Sequence, residues 1–179
     1  MKFKKFKFKE VKSTNSTAIR IIKGLNCKYG MVVSDTQTMG RGQYGKKWIS
    51  HKGNLFVSFF HDLKNINLSL TRITKINCLL IKKLLKNYYK KNIIFKKPND
   101  LLVKKKKISG ILQETVSILD NKFLIIGIGI NIKKSPIIEN YPTTCLDELT
   151  NKSINKREIE NKLKLIFETN FSKMYKINK

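Results

Sequence analysis

Residues 3–11 alternate apolar and basic side chains, Phe6 and Phe8 between Lys5, Lys7 and Lys9, which is the period of a strand. A cluster of helix-starting residues, Ser13 to Ser16, opens a short helix through Lys23, with Gly24 as its stop. Two apolar runs, residues 30–35 and 54–61, predict strands, and the glycine-rich segment 36–53 joins them as a loop. A turn over residues 62–67 leads to the longest helix, 68–89, with Leu70, Ile73, Ile76, Leu80, Leu84 and Tyr88 on its inner face. Residues 93–95 form a short strand ending at Pro98, Asn99 and Asp100, which is good turn chemistry. Residues 101–103 and 108–116 read as a hairpin around the lysine run 104–107. An apolar strand, 123–132, carries Gly127 and Gly129 within it. A loop over 133–143 precedes a final amphipathic helix, 155–177, with Ile159, Leu163, Ile166 and Phe167 inward. Strands with helices set against them predict an α+β fold, one mixed β-sheet packed by helices. No repeat or linker divides the chain, so the expectation is a single domain over residues 1–179.

Composition narrows the function classes. A chain of 179 residues, 41% of them hydrophobic, suits a globular domain with a real core. No apolar run approaches the roughly 20 residues needed to span a bilayer, and the basic N-terminus lacks the apolar stretch of a signal peptide. The expectation is a cytoplasmic protein with no membrane partner. Cys27, Cys78 and Cys145 are scattered and odd in number, and only His51 and His61 stand beside them, so neither a disulfide framework nor a zinc site is indicated. The net charge of +26 is mostly lysine spread along the whole chain. That favours a solvated basic surface over a specific DNA site, while still attracting acidic partners and anionic ligands.

The most informative segment runs from Gln37 to Trp48, where Gly40, Gly42 and Gly45 bracket Arg41. Glycines let backbone N–H groups approach an anion, and Arg41 supplies a planar fork for carboxylate or phosphate. Ser13, Thr14 and Asn15 offer hydroxyls and an amide to a polar ligand, and serve equally as a plain helix cap. Asn99 and Asp100 are either an acidic element of a site or a simple turn. Lys107 closes a run that elsewhere only solvates a hairpin tip, but Gly110 and the strand 111–114 set its register. Gly127 and Gly129 mark a close approach of ligand or backbone, and Asn131 contacts a ligand or ends the strand.

Taken in this order, these segments resemble the catalytic domain of biotin–protein ligases. The resemblance runs from about Ser13 to Asn131 and continues more weakly through residues 145–149. It implies a fold related to class II aminoacyl-tRNA synthetases and lipoate ligases. It implies an ATP-dependent, AMP-forming ligase that makes biotinyl-5′-AMP from biotin and ATP. The biotinyl group then passes to a lysine of a biotin carboxyl carrier protein or domain. On the matching positions, Ser13, Thr14, Asn15 and Gln37 contact biotin. Gly40, Arg41, Gly42 and Gln43 form the adenylate loop, and Trp48 either covers the adenylate or anchors the loop. Asn99 and Asp100 serve magnesium–ATP or the incoming amine. Lys107, beside Gly110, meets the reacting carboxylate and phosphate, and Gly127, Gly129 and Asn131 line the pocket. Arg41 and Lys107 are the catalytic cations. Mg²⁺ enters as a co-substrate of ATP, with Asp100 the nearest side chain and no protein ligand set assigned.

Two departures stand out. Gln43 occupies the place of the second arginine of the family's Gly-Arg-Gly-Arg loop, which weakens the grip on an acyl phosphate unless Lys46 or Lys47 compensates. Lys97 replaces the tryptophan of the family's Lys-Trp-Pro-Asn-Asp segment. The resemblance begins by residue 13, so the expectation is a catalytic-only ligase without a helix-turn-helix domain or a C-terminal β domain, monomeric or homodimeric. The competing readings are a lipoate or octanoate ligase, a basic nucleic-acid-binding protein, and an inactive ligase.

Overall fold

Alternating side chains become strands that share one sheet. The computed structural model describes residues 2–64, 66 and 68–174, with side chains as far as Phe171. Its elements are β1 (Lys4–Val11), α1 (Thr14–Leu25), β2 (Tyr29–Gln37), β3 (Leu55–Asp62), α2 (Leu70–Leu85), β4 (Ile94–Lys96), β5 (Asp100–Val103), β6 (Lys106–Ile118), β7 (Asn121–Ile130), α3 (Leu146–Thr150) and α4 (Lys156–Met174). The seven strands lie in the order β1-β2-β3-β7-β6-β5-β4. Only β1 and β2 run parallel, joined by α1 as the crossover, and all other neighbours are antiparallel. The fold is α+β with one mixed sheet, as the pattern predicts.

The two faces of the sheet differ. Leu55, Val57 and Phe59 of β3 and Leu124, Ile126, Ile128 and Ile130 of β7 pack with Ile73, Ile81, Leu84, Ile159, Leu163 and Phe167 of α2 and α4. Phe59 stacks on Phe167 with ring centroids 4.1 Å apart. On the other face, Ala18, Ile21 and Ile22 of α1 cover Val32, Phe60 and Ile125. Beyond the N-terminus of α1 that face turns small and polar, through Ser58, Gly127, Gly129 and Gly110.

One irregularity governs the face on which β6 presents its cation. Leu101 pairs with Ser109, but Leu102 pairs with Lys107, so β6 carries an extra residue in a bulge. Ile108 and Ile111, three residues apart, both reach the core. Lys107 and Gly110 thereby share the opposite face, with Lys107 Nζ only 3.1 Å from where a Gly110 Cβ would stand.

Several boundaries depart from the sequence reading. Helix α1 runs past Gly24 and stops at Asn26 in the left-handed region. Helix α2 begins after Ser69, whose side chain accepts from Arg72 N, and Leu70 in its first turn is exposed rather than inward. The helix ends at Leu85, short of Tyr88. The β5–β6 turn is only Lys104 and Lys105, both at positive φ (47° and 64°), so Lys106 and Lys107 belong to the strand. Helix α3 arises where only a family-like segment was read. Residues 65 and 67 of the predicted turn and residues 175–177 of the predicted last helix lie outside the described residues.

Candidate functional site

The small, polar part of the sheet opens into a cavity of about 730 Å³, which brings together Ser13, Thr14, Asn15, Gln37, Trp48 and Lys107 among its lining residues. Its floor is made by absence of side chains. Gly110 pairs with Gly129 across β6 and β7, and Gly127 pairs with Leu112. A Cβ on Gly129 would run into the Trp48 ring, one on Gly110 would meet Trp48 Cζ3 at 2.8 Å, and one on Gly127 would strike Asn15 Oδ1. The indole therefore lies directly on two backbone positions where only glycine fits. Trp48 Nε1 is buried and has no hydrogen-bond partner among the described residues.

Trp48 is delivered by the 36–53 segment, which is a closed hairpin rather than an open loop. Trp48 N donates to Gly40 O at 2.9 Å and Gly42 N to Lys46 O at 2.6 Å. Arg41 and Lys47 bridge antiparallel. The tip, Gln43–Gly45, turns through Tyr44 and Gly45 at positive φ, with Tyr44 almost wholly exposed. Gln43, Lys46 and Lys47 all line the cavity.

At the N-terminus of α1 the side chains form a hydrogen-bonded cup. Ser13 is the N-cap residue, yet its hydroxyl makes no capping bond. Gln37 Oε1 accepts from Thr14 N at 2.8 Å and lies 3.1 Å from Thr14 Oγ1, while Gln37 Nε2 donates to Ser50 Oγ at 3.2 Å. Ser58 Oγ sits 2.8 Å from Thr14 Oγ1 and 2.5 Å from Asn15 Oδ1. Asn15 Nδ2 donates to Leu112 O at 3.2 Å and to Glu114 Oε2 at 2.6 Å. The same carboxylate oxygen takes Arg41 Nη2 at 2.8 Å. Thr14, Asn15 and Ser58 are all buried.

Across the glycine floor stands a held ammonium. Lys107 Nζ pairs with Asp100 Oδ1 at 2.8 Å, both side chains mostly buried. The other Asp100 oxygen accepts from the Tyr141 hydroxyl at 2.6 Å. Burial, and next the hydrogen bond to Asp100, push the Tyr141 phenol well above its usual range. The Lys107 ammonium also lies 5.2 Å from the Trp48 ring centroid, and Lys96 4.7 Å from that of Tyr141. The segment after β7 reaches this point because Lys107 N donates to Pro142 O and Thr144 N donates to Lys107 O.

The cavity gathers every site residue named from the sequence except Gly40, which pairs with Trp48 behind it, and not every side chain reaches into it with a free group. Asn99 Nδ2 donates to Ile111 O at 2.6 Å and fastens its turn to β6. Asn131 is buried, and its amide serves Thr144 O and Asn54. Both are walls of the site. Asp100 Oδ1 faces the Lys107 ammonium as an ion pair without a hydrogen bond, Oδ2 accepts from Tyr141, and among the described residues no group of three His, Cys, Asp or Glu side chains could hold a metal ion. These residues do not fit a resident magnesium ion. Sequence reasoning missed Ser58, Glu114 and Tyr141. Ser58 and Glu114 are polar residues within strand runs, where nothing local sets them apart, and Tyr141 gave no signal either.

The comparisons agree with this geometry. The bifunctional ligase/repressor BirA of Bacillus subtilis is 28% identical over 167 residues, covering 89% of this chain, which spans 51% of that relative's length. The biotin protein ligase of Aquifex aeolicus in complex with biotin and ATP superposes with a TM-score of 0.82 at 32% identity, over 97% of this chain and 72% of that one. The biotin protein ligase of Leishmania major in complex with biotinyl-5-AMP gives a TM-score of 0.76 at 25% identity, over 99% of this chain and 81% of that one. Residues 8–131 match the biotin/lipoate A/B protein ligase family, and the chain belongs to it.

Proposed function

We propose that this chain activates biotin with ATP to biotinyl-5′-AMP and transfers the biotinyl group to a lysine of a biotin carboxyl carrier protein or domain. The observation that carries this reading is the shape of the slot: a donor-and-acceptor cup, a glycine floor under an indole, and a held ammonium across it. A bicyclic urea with an apolar tail and a terminal carboxylate has those three properties in that order. The Aquifex and Leishmania relatives, with biotin and ATP and with biotinyl-5-AMP, support the same substrates. A lipoate ligase would have little use for the cup, since a dithiolane ring offers no strong hydrogen-bonding group.

In this mechanism Ser13, Thr14, Asn15 and Gln37 hold the urea, and the tail runs along the Trp48 indole, which itself covers Gly129 and Gly110, toward Lys107. A carboxylate oxygen attacks the α-phosphorus, and the bond to pyrophosphate breaks. Two anions meet at that step, so catalysis is mainly positioning and charge stabilisation. Lys107 is held near Asp100 as an ion pair, and its N–H donors are available to the carboxylate and phosphate. Arg41 exchanges its partner Glu114 for the phosphate, and the hairpin tip beyond Gly42 covers the nucleotide. Trp48 Nε1 offers a further donor. Magnesium accompanies the ATP phosphates, and no step depends on a protein-bound ion. The carrier's lysine then attacks the acyl carbon beside Asp100, and the bond to AMP breaks. The proposed setting is the cytoplasm; among the described residues no helix is long and apolar enough to cross a membrane.

Biotin-dependent ATP–pyrophosphate exchange on purified protein, with lipoate in parallel, tests the reading. Exchange with biotin alone is the expected result. Exchange with lipoate only would move the chain to the sister activity, and exchange with neither would overturn both. Arg41→Ala should abolish exchange, and near-normal turnover would remove Arg41 from the mechanism.

A further inference from the structure

The cup contains a hydrogen-bond chain that is one proton short. It runs from Asn15 Oδ1 to Ser58 Oγ, on to Thr14 Oγ1, and ends at Gln37 Oε1. Both ends are acceptors. At the Gln37 end, Thr14 N is a backbone donor at 2.8 Å, so the atom facing it must be the amide oxygen. At the other end, the Asn15 amide meets two pure acceptors, Leu112 O and Glu114 Oε2, so its nitrogen must point there and its oxygen toward Ser58. Three contacts then separate two acceptors, and the two hydroxyls between them supply only two protons. One contact always lacks its hydrogen. Ser58 is fully buried and Asn15 and Thr14 nearly so, so solvent reaches this deficit poorly.

We infer that Glu114, acting with Leu112 O, is the positioning residue that maintains this deficit, and that it thereby makes the cup selective for a ring bearing N–H donors. This deepens the proposed function and rests on it. With its amide nitrogen tied to Glu114, Asn15 turns an acceptor toward the ligand. A cyclic urea supplies the missing hydrogen, whereas a dithiolane leaves the acceptors unmatched. Glu114 reaches this role through Asn15 and touches no reacting atom. Its second partner, Arg41, makes a rival explanation available, since loss of Glu114 also frees the guanidinium. The two are separable because Asn15 acts on ligand selection and Arg41 on the chemical step.

The test is ATP–pyrophosphate exchange by the whole chain, wild type against Glu114→Gln and Glu114→Ala, with biotin, desthiobiotin and lipoate as substrates. Glutamine can present its own donor to Asn15 Oδ1 and let that amide turn over. The expected result is a rise of about tenfold in KM for biotin and desthiobiotin, which share the cyclic urea, with little change in kcat, as for one lost buried hydrogen bond. Activity with lipoate should be unchanged or rise. Equal losses for all three acids, or a fall confined to kcat, would assign Glu114 to Arg41 and overturn the inference. Unaltered KM in both variants, with thermal unfolding like wild type, would also overturn it while leaving the biotin reading intact. That reading fails separately, if the wild-type chain gives no exchange with biotin.

Discussion

Strand β7 shows two kinds of surface within ten residues. Toward α2 and α4 it presents Leu124, Ile126, Ile128 and Ile130, and toward α1 and the cavity it presents Ile125, Gly127 and Gly129. Neighbouring β3 repeats the division, with Val57 and Phe59 on one side and Ser58 on the other. The first face gains stability by filling volume, since each buried side chain leaves water and finds close contacts. The second face gains function by withholding volume, because a ligand can only enter space that the protein has left. One backbone thus serves two opposite requirements, and substitutions on the two sides should fail in different ways.

The sharpest way to separate the faces is Phe59→Ala against Gly129→Ala. Removing the Phe59 ring from its stack on Phe167 should cost about 3–5 kcal/mol of unfolding free energy in a urea titration. Adding one methyl at Gly129 should displace Trp48 and cut biotin-dependent exchange severely, with a nearly unchanged urea midpoint. Equal stability losses in both variants would erase the distinction. Next in size, Lys107→Ala should lower exchange by roughly 100- to 1,000-fold, as for loss of a preorganised charge donor. A residual rate above a tenth of wild type would remove Lys107 from the reacting centre.

The packed face also carries a titration. His61 lies buried beside the Phe171 ring, and its pKa is lowered to about 4 by burial, partly opposed by the hydrogen bond to Asp62 O. The unfolded chain takes up a proton near pH 6.5 and the folded one only near pH 4. The stability is therefore complete above about pH 6.5 and falls as the pH drops toward 4, by about 3 kcal/mol at most. Urea unfolding of His61→Phe across that range should lack this slope, and an identical slope would locate the titration elsewhere. The smallest effect belongs to neither face. Lys104 and Lys105 hold the left-handed conformation of a two-residue hairpin turn, where Asn-Gly is preferred. The paired change Lys104→Asn with Lys105→Gly should add about 1 kcal/mol of stability and leave exchange untouched. A loss of activity would tie the turn to the site.

These faces were unequally legible. Period-two alternation marked β1 and unbroken apolar runs marked β3 and β7, and the glycines at 127 and 129 betrayed the cavity by interrupting an apolar run. Ser58 did not, because a single serine between Val57 and Phe59 looks like an ordinary strand residue. Its meaning comes from α1, which sets Thr14 and Asn15 above it. Glu114 had no role of its own within the strand 111–114; its meaning comes from Arg41 and Asn15, which converge on it. Tyr141 was out of reach, since its position depends on the long segment docking against the Lys107 backbone. Leu70 was misread because periodicity extends a helical face into the first turn whether or not anything lies opposite it.

The bulge in β6 makes the spacing between Lys107 and Gly110 a record of backbone geometry. In a straight strand, two residues on the same face are separated by one, and here they are separated by two. Loss of either Ile108 or Ser109 would straighten the ladder and still leave the ammonium above the glycine. Gain of a residue would also restore even spacing, but would carry the ammonium a further residue pair, roughly 7 Å, along the strand from the glycine. Tolerance to changes of length at this point should therefore be one-sided, with shortening costing some packing and lengthening costing the chemistry.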